Sequence, residues 1–278
     1  MSTLVIARLT FREAARKRIL LAALALGAVF LIVYGMGFNY ILNDIGGSSG
    51  GGSPLQLAEV GSFLSMAGLY VVNFLTVMMT VLTSVDTLSG EIASGTIQAV
   101  TAKPLRRRAV VLGKWLGFAG MLTAYLLLMA GGVMGLVYLI SGQVLPNALR
   151  GLGLMWLNAL VVLSISLLGG ATISTLANGV LAFGLFGVAF IGGWIEQIGS
   201  FLQNETATTI GVISSLIIPT EALWRRAAFE MQSPLVAALG FSPFTSRSVP
   251  SPLMVAYAAL YAGLILALAV RKFQQRDL

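Results

Sequence analysis

Long apolar stretches alternate with short polar stretches along the 278 residues of the chain. A helix that crosses a membrane needs about 20 mostly apolar residues, because the hydrocarbon core is about 30 Å thick and each residue adds about 1.5 Å. The pattern therefore predicts an all-α integral membrane protein in which 1–278 form one transmembrane domain. Its six predicted spans cover approximately 19–38, 61–85, 109–140, 152–176, 180–197 and 253–270.

Turn-forming residues predict the connections between these spans. A glycine- and serine-rich run lies within 43–54, and Asn178-Gly179 favours a tight turn between spans four and five. The longest connection, 199–252, contains an apolar segment at 206–219 that is short for a full crossing. Its length predicts re-entrant or interfacial helices in an external region between spans five and six.

Composition supports a membrane protein and narrows its chemistry. The chain is 57% hydrophobic and 10% charged, whereas soluble domains average about 25% charged residues. Cysteine and histidine are absent, which excludes disulfides, thiol chemistry and histidine catalysis. We expect no metal site and no catalytic site of the chain's own. We interpret the net charge of +7 as basic loops facing anionic lipid rather than nucleic acid.

The distribution of lysine and arginine predicts the orientation. Of the 17 basic residues, 13 precede the first span, follow the last or lie in 86–114. Cytoplasmic loops of membrane proteins carry an excess of basic residues. Both termini and the loop 86–108 are therefore predicted to lie in the cytoplasm, with the protein in the cytoplasmic membrane.

The loop 86–108 is the candidate docking segment. The spacing predicts a short helix over 89–100, with Leu88 and Ile92 on one side, and Pro104 ends it. Such a helix could dock a cytoplasmic partner. The alternative is a solvated loop next to a basic anchor.

The motifs of this loop resemble those of the permease subunits of ABC-2 type exporters. They run Glu91-x-x-x-Gly95-Thr96, then Lys103-Pro104 with arginines, then Gly113-Lys114 at the opening of the third span. A basic amphipathic stretch at 1–18 and the segment 218–226 add to the likeness, which covers nearly the whole chain.

The resemblance implies a type V-like fold and a division of labour. The loop between spans two and three would hold a coupling helix seated on a separate ATP-binding cassette ATPase, which binds ATP and magnesium, because this chain lacks a phosphate-binding loop motif. Two permease copies would pair with two ATPases. The coupling residues implied are Glu91, Ile92, Gly95, Thr96, Lys103 and Pro104.

Basic side chains near the predicted inner face are candidate anchors. Arg8, Arg12 and Arg16 share a face of the predicted interfacial helix. That face either contacts the ATPase or binds anionic lipid. Lys114 and Trp115 are expected at the lipid interface, where lysine reaches the headgroups. The full anchor set is Arg8, Arg12, Arg16, Arg106, Arg107, Arg108 and Lys114.

Two stripes of side chains are candidates for lining a substrate pathway. One is polar and lies in the second span, and the other is aromatic and lies in the fifth. The alternative for both is contact between helices, by hydrogen bonds or by packing. The stripes consist of Asn73, Thr76, Thr80 and Thr83, and of Phe183, Phe186, Phe190 and Trp194.

The remaining polar and small residues in the spans are expected to be structural. Gly113-x-x-x-Gly117 and Gly131-x-x-x-Gly135 permit close helix contact, and Asn158 is expected to form a hydrogen bond within the bundle. Glu59 and Glu196 lie near the predicted external ends of their spans, and we expect them to be solvated rather than proton relays.

Three functions are compatible with these patterns. The first is a permease driven by a partner ATPase. The second is an ion-coupled secondary transporter, which would normally carry ionisable groups at mid-membrane. The third is a membrane enzyme or a non-transporting scaffold. The sequence does not identify the transported substrate.

Overall fold

The structure, a computed structural model, describes residues 2–47, 53–95, 106–232 and 249–276, and all regular secondary structure in these ranges is helical. Six of the helices are long and apolar enough to cross a membrane, which confirms the prediction of an all-α protein with six spans. The helices are α1 (Ser2–Arg16), α2 (Arg18–Gly47), α3 (Pro54–Ala93), α4 (Arg107–Ser141), α5 (Ala148–Thr172), α6 (Thr175–Phe201), α7 (Glu205–Ile217), α8 (Thr220–Met231) and α9 (Pro252–Gln275).

Helix α3 is 40 residues long, or about 60 Å at 1.5 Å per residue. Its start is fixed by a capping box, in which the Ser53 hydroxyl accepts from the Gln56 amide and the Gln56 side chain accepts from the Ser53 amide. Pro54 follows as the first helical residue, where its missing N–H costs nothing. The helix then continues well past the predicted end of the second span at Val85.

The short separate helix predicted from Ser89 is therefore wrong at its start. Thr87, Leu88 and Ser89 are buried and continue α3 to Ala93. Burial of the helix's last turns against neighbouring helices stabilises the helical conformation beyond the apolar stretch. Glu91 and Ile92 consequently belong to the last turn of α3, and Gly95, at φ +70°, follows in a left-handed conformation. The other expected coupling residues, Thr96, Lys103 and Pro104, lie outside the described residues.

Helices α1 and α2 both pack along α4. A Cβ added at Gly113 would lie 2.7 Å from the Ile6 side chain, and one added at Gly117 would lie 2.7 Å from the Ala7 carbonyl oxygen. The expected contact at this glycine pair is thus present, with α1 as the partner. Arg8, Arg12 and Arg16 face away from α4 and are exposed.

The second glycine pair behaves differently from the prediction. An added Cβ would meet no atom within 4 Å at Gly131 or Gly135. The neighbouring Gly132 makes the close approach instead, to Leu31 of α2. One residue of rotation moves a side chain by about 100° around a helix, so the spacing alone could not identify the packed face.

Helices α7 and α8 form a bent pair with an angle of 105° between them. The chain turns at Ile218, whose backbone is extended, because a residue before proline is disfavoured in the helical conformation. Helix α7 has 13 residues, or about 20 Å, less than a membrane core. The short-helix prediction for 206–219 is confirmed, and a seventh span arises only if the bent pair is counted as one crossing.

Candidate functional site

The end of the bundle where α3, α5 and α9 finish and α4 and α6 begin is hereafter the basic end. Lys114 of α4 lies there, with its Nζ 2.5 Å from Oε1 of Glu91. The Lys114 side chain is 7% exposed and that of Glu91 is 26% exposed. The same ammonium also donates to the Thr87 carbonyl oxygen at 3.4 Å. This pair ties the last turn of α3 to the second turn of α4.

The expected position of Lys114 at the lipid interface is therefore wrong. The Lys114 side chain instead turns towards α3, where its ammonium contacts Glu91 and the Thr87 carbonyl oxygen. A buried ammonium needs a charged partner to offset its lost hydration, and Glu91 supplies it. Trp115 also turns inward, and its indole N–H donates to the Ser164 hydroxyl at 3.1 Å.

Asn178 ties α3 to α5 and α6 at the same end. Its side-chain amide donates to the carbonyl oxygens of Val85 at 3.1 Å and of Ser166 at 2.9 Å. The Ser89 and Thr175 hydroxyls form a further hydrogen bond between α3 and α6 at 2.7 Å. Asn178 does not form the expected tight turn, because α6 already begins at Thr175.

Two arginines join the ends of α5 and α9 to this network. Arg107 Nη1 donates to the carbonyl oxygens of Arg276 at 2.6 Å and of Gln274 at 3.2 Å. Arg276 in turn donates to the Ala171 carbonyl oxygen at 2.8 Å. The last carbonyls of a helix carry partial negative charge, so cations are favourable there. The neighbouring Arg106 and Arg108 are exposed, as anchor residues would be.

The polar stripe of α3 is buried, and it faces α5. Asn158 donates to Asn73 Oδ1 at 2.9 Å, and the Ser84 hydroxyl donates to that of Ser166 at 2.7 Å. The threonines Thr76, Thr80 and Thr83 are buried and donate to carbonyls four residues earlier in α3. Asn73 thus makes the bond between helices that the helix-contact alternative expects, whereas the three threonines bond within α3.

The aromatic stripe of α6 packs mainly against α3. The rings of Phe186 and Phe74 lie 6.1 Å apart, and those of Phe190 and Tyr70 lie 6.4 Å apart. Phe183 lies further towards the basic end, where it lines a shallow apolar groove of about 680 Å³ with Val85, Leu176 and Val180. Two of the three candidate phenylalanines thus pack against aromatic rings of α3.

The opposite end of the bundle, where α6, α7 and α8 meet, is hereafter the hairpin end. Arg225 of α8 contacts Glu196 of α6 at two points: Nη1 lies 2.5 Å from Oε1, and Nη2 donates to Oε2 at 2.7 Å. The side chains are 4% and 3% exposed. The expectation that Glu196 is solvated is wrong, because the bent pair folds over it. Glu59 is half-buried.

Sequence reasoning missed this ion pair, because its members lie 29 residues apart and the likeness of the segment 218–226 gives Arg225 no partner. A usable signal was present in the glycines. Gly192, Gly193 and Gly211 all allow close packing, and Gly211 lies against Glu196 of α6. Glycines clustered around two short helices indicate close approach of backbones.

A comparison with models of protein families matches residues 4–278 to the ABC-2 family transporter proteins. A search of curated proteins finds no match. The family match extends over nearly the entire chain and therefore includes both the basic end and the hairpin end.

Proposed function

The chain belongs to the ABC-2 family of transporter proteins, and we propose that it is the membrane permease subunit of an exporter driven by a separate ATPase. The observation that carries this proposal is the construction of the basic end. The last turn of α3, which holds Glu91 and Ile92, is bonded directly to α4 through Lys114. Force applied there has a short route into the membrane-spanning bundle.

The network at the basic end supports transmission of a movement rather than a simple anchor. Displacing the end of α3 pulls on α4 through the Glu91–Lys114 pair. It also pulls on α6 through the bonds of Ser89 and Asn178. Three spans are thus linked at one end by polar contacts.

The proposed docking surface contains the end of α3 and the segment that follows it. Glu91 and Ile92 are half-buried and therefore present part of their surface to a partner. Gly95 allows the chain to leave α3 in a left-handed conformation that other residues rarely adopt. Thr96, Lys103 and Pro104 complete the proposed surface.

The proposed assembly contains two copies of the permease and two ATPase subunits, which bind ATP and magnesium. The basic end faces the cytoplasm, in keeping with the excess of basic residues there. Helix α1 lies beside α4 at this face. Its exposed Arg8, Arg12 and Arg16 point away from α4 and bind anionic lipid.

Co-purification tests the proposal. The tagged chain is expressed with each ATP-binding cassette subunit of its own genome, and a matched ATPase should co-purify with it. The double substitution Glu91→Arg with Gly95→Trp should abolish capture, because it reverses a charge and blocks the left-handed turn. Glu59→Arg, at the far end of α3, is the control and should leave capture unchanged. Equal capture by the double variant, or capture of no ATPase by the wild type, would contradict the proposal.

A further inference from the structure

Two carboxylates and one guanidinium are buried together at the hairpin end. Glu196 is 2% exposed, Arg225 is 4% exposed and Glu221 is 7% exposed. Glu221 and Arg225 are four residues apart on α8 and share one face of it. Glu221 lies directly against Gly193 of α6, three residues before Glu196. The three charged groups therefore meet between two helices, away from bulk water.

The described contacts of the Arg225 guanidinium with a carboxylate go to Glu196. A second hydrogen bond from Nη2 goes to the Ser215 hydroxyl of α7 at 3.3 Å. One guanidinium neutralises one carboxylate, and the cluster holds two. Burying an uncompensated ionised carboxylate costs several kcal/mol or more, so such a group usually takes up a proton instead.

We propose that Glu221, Glu196 and Arg225 form a proton-binding site, and that release of its proton loosens the packing of α7 and α8 on α6. In this site Glu196 is the ionised partner of Arg225. Glu221 carries the proton while the bent pair is closed. Nothing in the proposed ATP-driven mechanism uses this proton, so the site would add sensitivity to pH at the hairpin end.

The groups that face the site from the neighbouring helices are few. Tyr70 of α3 lies beside Trp224, with ring centroids 5.1 Å apart, and interacts electrostatically with Glu221. Helix α7 contributes Ser215, and α6 contributes Glu196.

The other charged and titratable groups around α8 have partners away from the site. Arg226 donates to Glu230 at 2.6 Å, and Arg150 at the start of α5 lies 3.7 Å from the same carboxylate. From α9, the Tyr257 hydroxyl donates to the Leu216 carbonyl oxygen, and the rings of Tyr257 and Tyr261 lie 6.0 Å apart at an angle of 50°.

The electrostatic balance agrees with the geometry. Burial raises the pKa of Glu221 to about 7, the Arg225 charge opposes this rise, and the Glu196 charge adds to it. A carboxyl group whose pKa is higher in the folded state stabilises that state at low pH, and the stabilisation is lost as pH rises through the folded value. The closed packing of α7 and α8 is therefore expected to weaken above about pH 7.

Infrared spectroscopy of the purified chain tests the proposal without the ATPase. The C=O stretching band of a protonated carboxylic acid should be present at pH 5.5–6 and should disappear with a midpoint near pH 7. Glu221→Gln should remove this component and should make the apparent unfolding temperature independent of pH across the same range. Glu59→Gln, on the half-buried carboxyl of α3, is the matched control and should keep both wild-type behaviours.

A second variant keeps the test informative if Glu221→Gln does not fold. In Glu196→Gln, Glu221 is the carboxylate that remains in the cluster with Arg225. Arg225 Nε, which has no hydrogen-bond partner among the described residues, can then bind Glu221. The protonated band should shift to lower pH by about 1 unit or more. A band that is absent at pH 6 in the wild type, or that persists unshifted in either variant, would overturn the proposal. Failure to capture an ATPase in the co-purification experiment would contradict the proposed function and would not affect the proton-site proposal.

Discussion

The two ends of the bundle each hold a lysine- or arginine-to-glutamate pair at 2.5 Å, but the pairs differ in their surroundings. At the basic end the Glu91 side chain is 26% exposed. At the hairpin end both Glu196 and Arg225 are below 5% exposed. The first pair lies at a partly exposed edge of its hydrogen-bond network. The second pair is enclosed by α6, α7 and α8.

Because of this difference, the pair at the basic end can exchange its partner, whereas the pair at the hairpin end cannot. Glu91 keeps contact with water, so its pair with Lys114 can be exchanged for hydration or for a partner's charge at modest cost. Glu196 and Arg225 have no such alternative, and separating them leaves two buried charges. Coupling to a partner suits the first arrangement, and holding the bent pair closed suits the second. Four substitutions test the contrast.

The largest effect is expected at the hairpin end. Arg225→Met removes the positive charge beside the buried Glu196 carboxylate, and breaking a buried ion pair in this way typically costs about 3–5 kcal/mol. The apparent unfolding temperature of the purified chain in detergent should fall steeply. At pH 6, where Glu221 is proposed to be protonated, adding Glu196→Gln should recover much of the loss, since neither buried carboxyl position then carries a charge. A double variant as unstable as the single one would show that the pair is not the source of the effect.

A smaller loss is expected from Lys114→Met. Removing a charged hydrogen-bond partner costs about 1.5–3 kcal/mol, and the exposure of Glu91 places the expected loss at the lower end. Raising the salt concentration from about 0.1 to 1 M shortens electrostatic screening from about 10 to 3 Å. The same unfolding measurement at both concentrations should therefore show a reduced effect of Lys114→Met and an unchanged effect of Arg225→Met. Equal salt dependence would remove the distinction between the two ends.

The close approach of α1 to α4, next to Lys114, is tested by a glycine substitution. Gly117→Ala places a methyl group 2.7 Å from the Ala7 carbonyl oxygen, and such overpacking costs about 1–3 kcal/mol. Gly131→Ala, on the same helix with open space around it, is the control and should be neutral or slightly stabilising. Proteolysis between α1 and α2 should accelerate only in Gly117→Ala. Similar results for both variants would mean that α1 is not held against α4.

The smallest effect is expected from Arg107→Met. Its guanidinium binds the carbonyl oxygens of Gln274 and Arg276 at a partly exposed site, where such contacts contribute about 0–1 kcal/mol. The unfolding temperature should hardly change, while limited proteolysis after α9 should become faster. A large loss of stability would place Arg107 with the buried pairs instead.

The outcome at individual residues shows which sequence patterns were informative. The apolar pattern predicts the second span but ends it at Val85, because Asp86, Thr87 and Ser89 are polar. Those residues remain helical because they bond to Thr175, to carbonyls of their own helix and to neighbouring side chains. The spacing of Gly113 and Gly117 predicts a packing contact, and the structure has one. Gly131 and Gly135 have the same spacing, but a Cβ added at either would meet no atom within 4 Å.

The sequence by itself determined the class of the molecule, the six spans, the short helices at 206–219 and beyond, and the basic excess at one end. These follow from length, hydropathy and local turn residues, which act over a few neighbours. Only the tertiary structure decided that Lys114 is buried against Glu91 and that Glu196 meets Arg225 beside Glu221. Such contacts depend on the rotation and depth of whole helices, and a rotation of one residue turns a solvated carboxylate into a buried one.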